Sequence, residues 1–291
     1  MLRRSNPTRL HSSARRANLT AVAIGWVCVV PTFNPDGESL ELIRTLAQSA
    51  PVLVSDDASA CTADRILAAA DKIDGVHVVR NSHNGGIGRA LNQGLAFAHE
   101  EGVAWLLTVD QDSSLDEKYA PAMVDYAESL LQAGVHLGAL GCGNVQDASG
   151  PLTYPTQKQA FGGLSVQVTD EVVQSGTLWS VPAVRESGGF DESLGMDAVD
   201  AAACLALRER GMAIALNPAV TLQHRIEGAQ QIRLLGRDVT VTGHSTKRRQ
   251  AIVRNRLRLF PREWAMSRTH ALRTVRRGLV NYLGVPLRKR T

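Results

Sequence analysis

The run LLTVDQDSS, residues 106–114, ends an apolar stretch on two carboxylates, Asp110 and Asp112, one residue apart. A carboxylate at the edge of a buried strand needs a counter-charge or strong hydrogen bonds. Two residues apart on an extended chain, the two acids project to the same side. Hard divalent cations take oxygen ligands of this kind while keeping positions open for a substrate. The alternative use is a strand-to-helix loop in which Asp112 or Ser113 caps the following helix. Three other apolar runs end on polar loops: PTFNP (31–35), SDDAS (55–59) and NSHNGG (81–86).

The elements that must carry these loops are legible from pattern. Residues 22–30 read as a buried strand, short, β-branched and closed by Pro31. Leu40, Ile43 and Leu46 recur at helical spacing. PVLVSDD is a second strand, ending at Asp56 and Asp57, and the Ala-rich segment from Ala58 to Ile73 is a helix opened by cap-type residues. VHVVR is a third strand. RALNQGLAFAHEEG is a helix closed by Gly102, and AWLLTV is a fourth strand. Alternating strands and helices predict a parallel sheet with helices on both faces. Ligands of such sheets bind beyond the carboxyl ends of the strands, so all four polar loops are expected on one rim. Beyond Asp112 the pattern changes. A helix covers 116–134, an apolar glycine-rich strand 136–145, and further strands, antiparallel in part, 164–181. An Ala-rich helix then ends at Gly211, a strand covers 212–218, and basic helices are expected over the last 40 residues, interrupted at Pro261 and Pro286.

Length and charge set bounds. The 291 residues are 44% hydrophobic and 21% charged, with net charge +4. This is ordinary globular composition, large enough for one sizeable domain. Basic residues crowd the first 16 positions and the stretch after Arg225, which points to something anionic: a membrane surface, a pyrophosphate or nucleic acid. Cys28, Cys61, Cys142 and Cys204 form no CxxC pair, so neither zinc nor a redox motif is indicated, and a reducing compartment fits. The longest apolar run, 19–31, is too short to span a bilayer and lacks a small-residue cleavage site, so it is assigned to the first strand rather than to a signal peptide.

In order along the chain, VVPTFNP, LVSDDAS, RNSHNGGIGRALNQG, LLTVDQDSS and GGFDESLGMDAVDAAACLALRERG resemble glycosyltransferase family 2. The DQDS form and the later HSTKRRQAIVRN resemble its rhamnosyltransferases that use dTDP-L-rhamnose. The likeness spans about residues 22–260. It implies an α/β fold of the GT-A type: a Rossmann-like, mostly parallel central sheet flanked by helices, here with basic C-terminal helices. Residues 1–18 are expected to be a basic, disordered tail, 19–255 the transferase domain and 256–291 a basic helical extension.

The resemblance also implies roles. The cofactor is Mg²⁺ or Mn²⁺, with Asp112 the direct ligand and Asp110 at a ribose or sugar hydroxyl. Asp57 accepts from a pyrimidine N3–H, Asp56 being free to serve a structural turn. Thr32, Asn34 and Asn84 join the nucleotide-sugar pocket. Arg89 reaches the donor or is a plain surface arginine. Asp200 is the general base of an inverting transfer, with Asp197 second; a first-turn helix acid is the bland alternative. Gly195, Ala202 and Ala206 stand where the rhamnosyltransferases carry an aromatic, an acid and an arginine. His224 completes the metal site or is structural. His244, Arg248, Arg249 and Arg254, with Asn255, suit the phosphates of the donor or of a lipid-pyrophosphate acceptor, or form a solvated basic helix.

The expected function is transfer of L-rhamnose from dTDP-L-rhamnose to a hydroxyl of a cell-surface glycan or lipid-linked precursor, in polysaccharide or cell-wall biosynthesis. A cytoplasmic location fits, peripheral at the inner face of the plasma membrane through the basic C-terminus. A UDP-linked donor is the nearest alternative. A nucleotidyltransferase would carry a Gly-rich, lysine-bearing first loop, which VVPTFNPDGES lacks. A basic nucleic-acid-binding protein is the rival from another class. No nucleic acid partner is expected, because aromatics make up 4% and no recognised module is present.

Overall fold

The computed structural model describes residues 25–147, 150–224, 230–234, 237–241, 246–276 and 278. The first half alternates as expected. It comprises β1 (Trp26–Thr32), α1 (Gly37–Ala47), β2 (Val52–Asp56), α2 (Asp64–Ala70), β3 (Val76–Arg80), α3 (Ile87–Glu100) and β4 (Trp105–Thr108). β5 (Ser113–Ser114), α4 (Tyr119–Gln132), β6 (Leu137–Asp147), β7 (Gly150–Leu152), β8 (Thr156–Phe161), β9 (Leu164–Thr169) and β10 (Thr177–Ser180) follow. The chain continues with α5 (Val181–Glu186), α6 (Val199–Glu209), β11 (Ala213–His224), the hairpin β12 (Gln230–Leu234) and β13 (Arg237–Val241), and α7 (Thr246–Met266). Residues 268–276 form a last helical segment, α8.

The main sheet runs β3-β2-β1-β4-β10-β6-β11-β9-β8. β1, β2, β3 and β4 are mutually parallel, β10 is antiparallel between β4 and β6, and β6 and β11 are again parallel. β1 shows why an unbroken apolar run is needed at the centre. Cys28 and Val30 pack on one face with Leu40, Ile43 and Leu46 of α1. Val27 and Val29 pack on the other with Leu91 and Leu95 of α3. Both faces are dry, so neither can be polar. α3 lies very close to β1: a Cβ on Gly94 would sit 2.6 Å from the Val29 Cβ. α1 begins at Asp36, whose carboxylate accepts from the Ser39 amide while the Ser39 hydroxyl accepts from the Asp36 amide. This reciprocal cap satisfies two otherwise orphaned donors.

Several expectations shift. β1 does not stop before Pro31; it runs to Thr32, with Pro31 opposite Ser55. α2 begins only at Asp64, after a short 3₁₀ turn over Cys61–Ala63. Pro261 lies inside α7 and does not interrupt it. It is exposed, while Leu259 and Glu263 beside it are buried and hold the helix to the core. The 255/256 boundary therefore falls within one continuous helix. Residues 1–24, His244, Pro286 and the rest of 279–291 lie outside the described residues.

Candidate active site

The carboxyl ends of β1, β2 and β4 form one rim, and the polar loops lie on it. At the end of β1, Thr32 is buried and its hydroxyl faces Asp56 at 3.5 Å. Asp56 is fully buried and accepts from the Ser59 amide (3.2 Å) and the Ser59 hydroxyl. Asn34, at φ 51°, ties two rim loops together: its amide donates to Ser59 Oγ (2.7 Å) and its side-chain oxygen accepts from the Ala60 amide (3.0 Å). Thr32 and Asn34 thus shape the rim beside Asp57.

Asp57 grips the glycine-rich turn. One carboxylate oxygen accepts from Gly85 N–H (2.6 Å) and the other from Gly86 N–H (3.0 Å). Each oxygen keeps a further lone pair. Gly86 sits at φ 79°, and a Cβ there would come within 2.8 Å of the Gly195 carbonyl oxygen. Glycine is required both for the left-handed backbone and for this approach. The turn held by Asp57 therefore abuts the loop that leads to Asp197 and Asp200. Asn84 is exposed on the turn, and Arg89 lies beside His83, with 2.9 Å between Nη1 and Nε2.

In the loop after β4, Gln111 bridges to the residue following β1 by two bonds: its Nε2 donates to the Phe33 carbonyl (3.0 Å) and its Oε1 accepts from the Phe33 amide (2.9 Å). Asp110 is cradled by the segment entering β10. Its amide donates to Ser175 Oγ (3.0 Å), and its carboxylate accepts from Gln174 Nε2. Ser175 Oγ also meets Ser113 Oγ at 2.7 Å. Asp112 is exposed. Neither Asp112 nor Ser113 caps a helix: Ser113 enters β5, which pairs with the end of β11 so that His224 stands opposite Ser113. That register brings the His224 backbone beside the residue next to Asp112. A pair of carboxylates on an exposed rim fits a hard cation, which prefers oxygen ligands and retains open positions.

A second acidic group lies apart from this pair. Ligand atoms of Glu171, Glu263 and His270 fall within 4.8 Å of one another. Arg256 already bridges two of them, with Nη1 at 2.7 Å from Glu171 and 3.5 Å from Glu263. His270 Nδ1 stands 3.3 Å from Asp170. Burial works against the Arg256 charge, but Glu171 chiefly outweighs it and the guanidinium pKa is raised. Internal pairing of this kind makes the cluster a poorer cation site than the rim.

Asp200 lies in the first turn of α6 and accepts from the Ala201 amide at 2.8 Å. Burial pushes its carboxyl pKa up; Arg256 opposes the shift and Glu171 adds to it. Asp197 is held by α7, its Oδ1 lying 3.3 Å from Arg248 Nε. Asn255, fully buried, donates to the carbonyls of Leu194 (2.7 Å) and Asp197 (2.9 Å). Arg249 donates to Thr246 Oγ1 (3.2 Å) and Arg254 is exposed. Asp197, Arg248 and Asn255 are thus brought together, whereas Arg254 projects elsewhere on α7. Gln174, Ser175 and Arg256 carry no local sequence signal that singles them out and become neighbours only through folding. The one signal for Gln111 is its place between the two acids.

This architecture is an α/β fold of the GT-A type. The S. aureus TarS 1–349 structure in complex with UDP-GlcNAc overlays with a TM-score of 0.57 at 15% identity, over 89% of this chain and 72% of that one. The mannosyltransferase PcManGT from Pyrobaculum calidifontis, in complex with GDP-Man and Mn²⁺, does so with a TM-score of 0.57 at 12% identity, over 90% and 75%. Residues 27–160 match the model of Glycosyl transferase family 2. It is 27% identical over 242 residues to the dTDP-rhamnosyl transferase RfbF of Shigella flexneri, covering 78% of this chain and 77% of that protein. The family match stops short of Asp197, Asp200 and α7.

Proposed function

We propose that this glycosyltransferase moves L-rhamnose from dTDP-L-rhamnose, with inversion, to a hydroxyl of a cell-surface glycan or a lipid-linked precursor. The likeness to a dTDP-rhamnosyl transferase over most of the chain supports the donor. The observation that carries the reading is the physical continuity of the rim. Asp57 holds the turn that touches Gly195, and the same loop leads through Asp197 to Asp200. Donor-side and acceptor-side carboxylates are thereby built on one connected surface.

In this reading Asp57 accepts the thymine N3–H through a remaining lone pair, beside Thr32, Asn34 and Asn84, while Arg89 faces the donor. Asp112, with Asp110 and His224 alongside, would hold Mg²⁺ or Mn²⁺, which neutralises charge developing on a nucleoside diphosphate leaving group. Gln174 and Ser175 orient Asp110. Asp200 takes the proton from the acceptor hydroxyl, and its burial makes it a stronger base than an ordinary aspartate. Asp197 positions the acceptor. Arg248, Arg249, Arg254 and His244 attract phosphates of the donor or of a polyprenyl-pyrophosphate carrier. Among the described residues no helix is long and apolar enough to cross a membrane. Contact with an anionic leaflet is assigned to the basic C-terminal region.

A hydrolysis screen of nucleotide sugars, with and without Mg²⁺ or Mn²⁺, tests the proposal. Release of dTDP from dTDP-L-rhamnose is expected to dominate and to need the cation. Faster turnover of a UDP-linked or GDP-linked sugar would overturn the donor assignment.

A further inference from the structure

We infer that Asn255 is a positioning residue for transfer: it holds the loop carrying Asp197 and leading to Asp200 in register with the donor side of the rim. The inference rests on the reading of Asp200 as the base.

The loop in question has little structure of its own. Residues 192–194 form one 3₁₀ turn, Gly195 is at φ 70°, and Ala198 adopts a left-handed φ of 69° just before α6. A non-glycine residue in that conformation persists only where surrounding contacts over-determine it. Asn255 supplies two of those contacts. Its side-chain amide donates to the carbonyls of Leu194 (2.7 Å) and Asp197 (2.9 Å), which lie on either side of Gly195 and Met196. The residue is fully buried, and its Oδ1 has no hydrogen-bond partner. A buried, half-satisfied amide is costly, so the site is organised around its two donors rather than around the amide's own stability. Two turns earlier on α7, Arg248 meets the Asp197 carboxylate at 3.3 Å. The next residue, Arg256, is anchored by Glu171 and Glu263 and faces Asp200 electrostatically. Arg248 and Asn255 thus both hold Asp197, Asn255 also holds Leu194, and the Arg256 charge bears on Asp200. On its far side the segment from Leu194 to Asp200 meets Gly86, in the turn held by Asp57. Releasing the Asn255 bonds would let the loop drift without touching Asp57, Asp110 or Asp112.

The test is Asn255→Asp, which keeps size but removes both donors, with Asn255→Gln as the conservative comparison and Asn255→Ser as a further variant should the aspartate not fold. Steady-state transfer is measured with dTDP-L-rhamnose, dTDP and Mn²⁺ affinity by calorimetry, and kcat across pH. The expected result for Asn255→Asp is a 10- to 100-fold lower kcat, with dTDP affinity within about twofold of wild type. The acid limb of kcat should move to lower pH, because a loosened loop hydrates the half-buried Asp200 further and relaxes its raised pKa. Asn255→Gln should recover at least part of kcat. If kcat and dTDP affinity fall together in proportion to the folded fraction, with the acid limb unmoved, Asn255 is merely structural and the inference fails. It fails equally if kcat is unchanged. Asp200→Asn measured alongside separates the two levels: full turnover in that variant refutes the base, whereas lost turnover there with normal kcat in Asn255→Asp refutes only the positioning role.

Discussion

At the scale of single residues, the proposed roles differ in what their removal should change. Asp200→Asn removes the basic charge while keeping shape. Turnover should fall by roughly 10²–10⁴, the usual contribution of general-base catalysis, with dTDP affinity nearly unchanged. Asp197→Asn should cost less, and a steady-state comparison of the two variants decides between them. The wild-type kcat should fall on the acid side at a pH above the ordinary aspartate range, because burial raises the Asp200 pKa and the base must be ionised to act. A kcat–pH profile whose acid limb sits at the ordinary value would contradict that assignment. Asp112→Ala should abolish the metal dependence of dTDP binding, read by calorimetry with Mn²⁺. Asp57→Ala should erase a preference for dTDP over GDP worth roughly 1.5–3 kcal/mol, the range of a hydrogen bond to a charged group. That substitution also frees the amides of Gly85 and Gly86, so binding of both nucleotides should weaken somewhat.

At the scale of elements, the site depends on how closely helices approach the sheet. Gly94→Ala would press a Cβ to 2.6 Å from Val29, between α3 and β1. Overpacking of this kind costs about 1–3 kcal/mol, and urea unfolding should show the loss. Asp36→Ala should cost about 1 kcal/mol through the cap of α1. The Ser39 amide and hydroxyl hold the Asp36 carboxyl below the ordinary range. A depressed carboxylate stabilises the fold above its unfolded pKa, and that contribution fades as pH falls through the folded one. The difference between wild type and Asp36→Ala should therefore shrink in acid. The four parallel strands and their helices were readable because each has its own period, and caps or glycines such as Gly102 and Gly211 mark their ends. Strand β1 and helix α7 run through Pro31 and Pro261 for one reason. Proline weakens an element locally, but Thr32 beyond Pro31, and Leu259 and Glu263 flanking Pro261, are buried by tertiary packing, which carries the element through.

At the scale of the whole molecule, charge is unevenly distributed, with ten Lys or Arg residues and one Glu between 246 and 276. α7 and α8 cannot be removed as a mere appendage. Leu259, Glu263 and Ala271 are buried, and Glu263 and His270 join the network around Arg256. Deleting residues from 277 onward, which removes Arg277, Arg288, Lys289 and Arg290, should leave dTDP binding intact and reduce sedimentation with anionic vesicles. Undiminished vesicle binding by the shortened chain would place the membrane contact elsewhere.

The sequence by itself determined the α/β alternation and the placing of the four polar loops on one rim. These follow from local periodicity and from the rule that strand ends carry the ligand-facing residues. Only the tertiary structure decided that Asp57 grips Gly85 and Gly86, that Gln174 and Ser175 cradle Asp110, and that Asn255 holds the loop before Asp200. Those contacts join residues about 28 to 65 positions apart. Hydrogen bonds of that span leave no local period in the chain, because they depend on which elements the sheet order and helix packing set side by side.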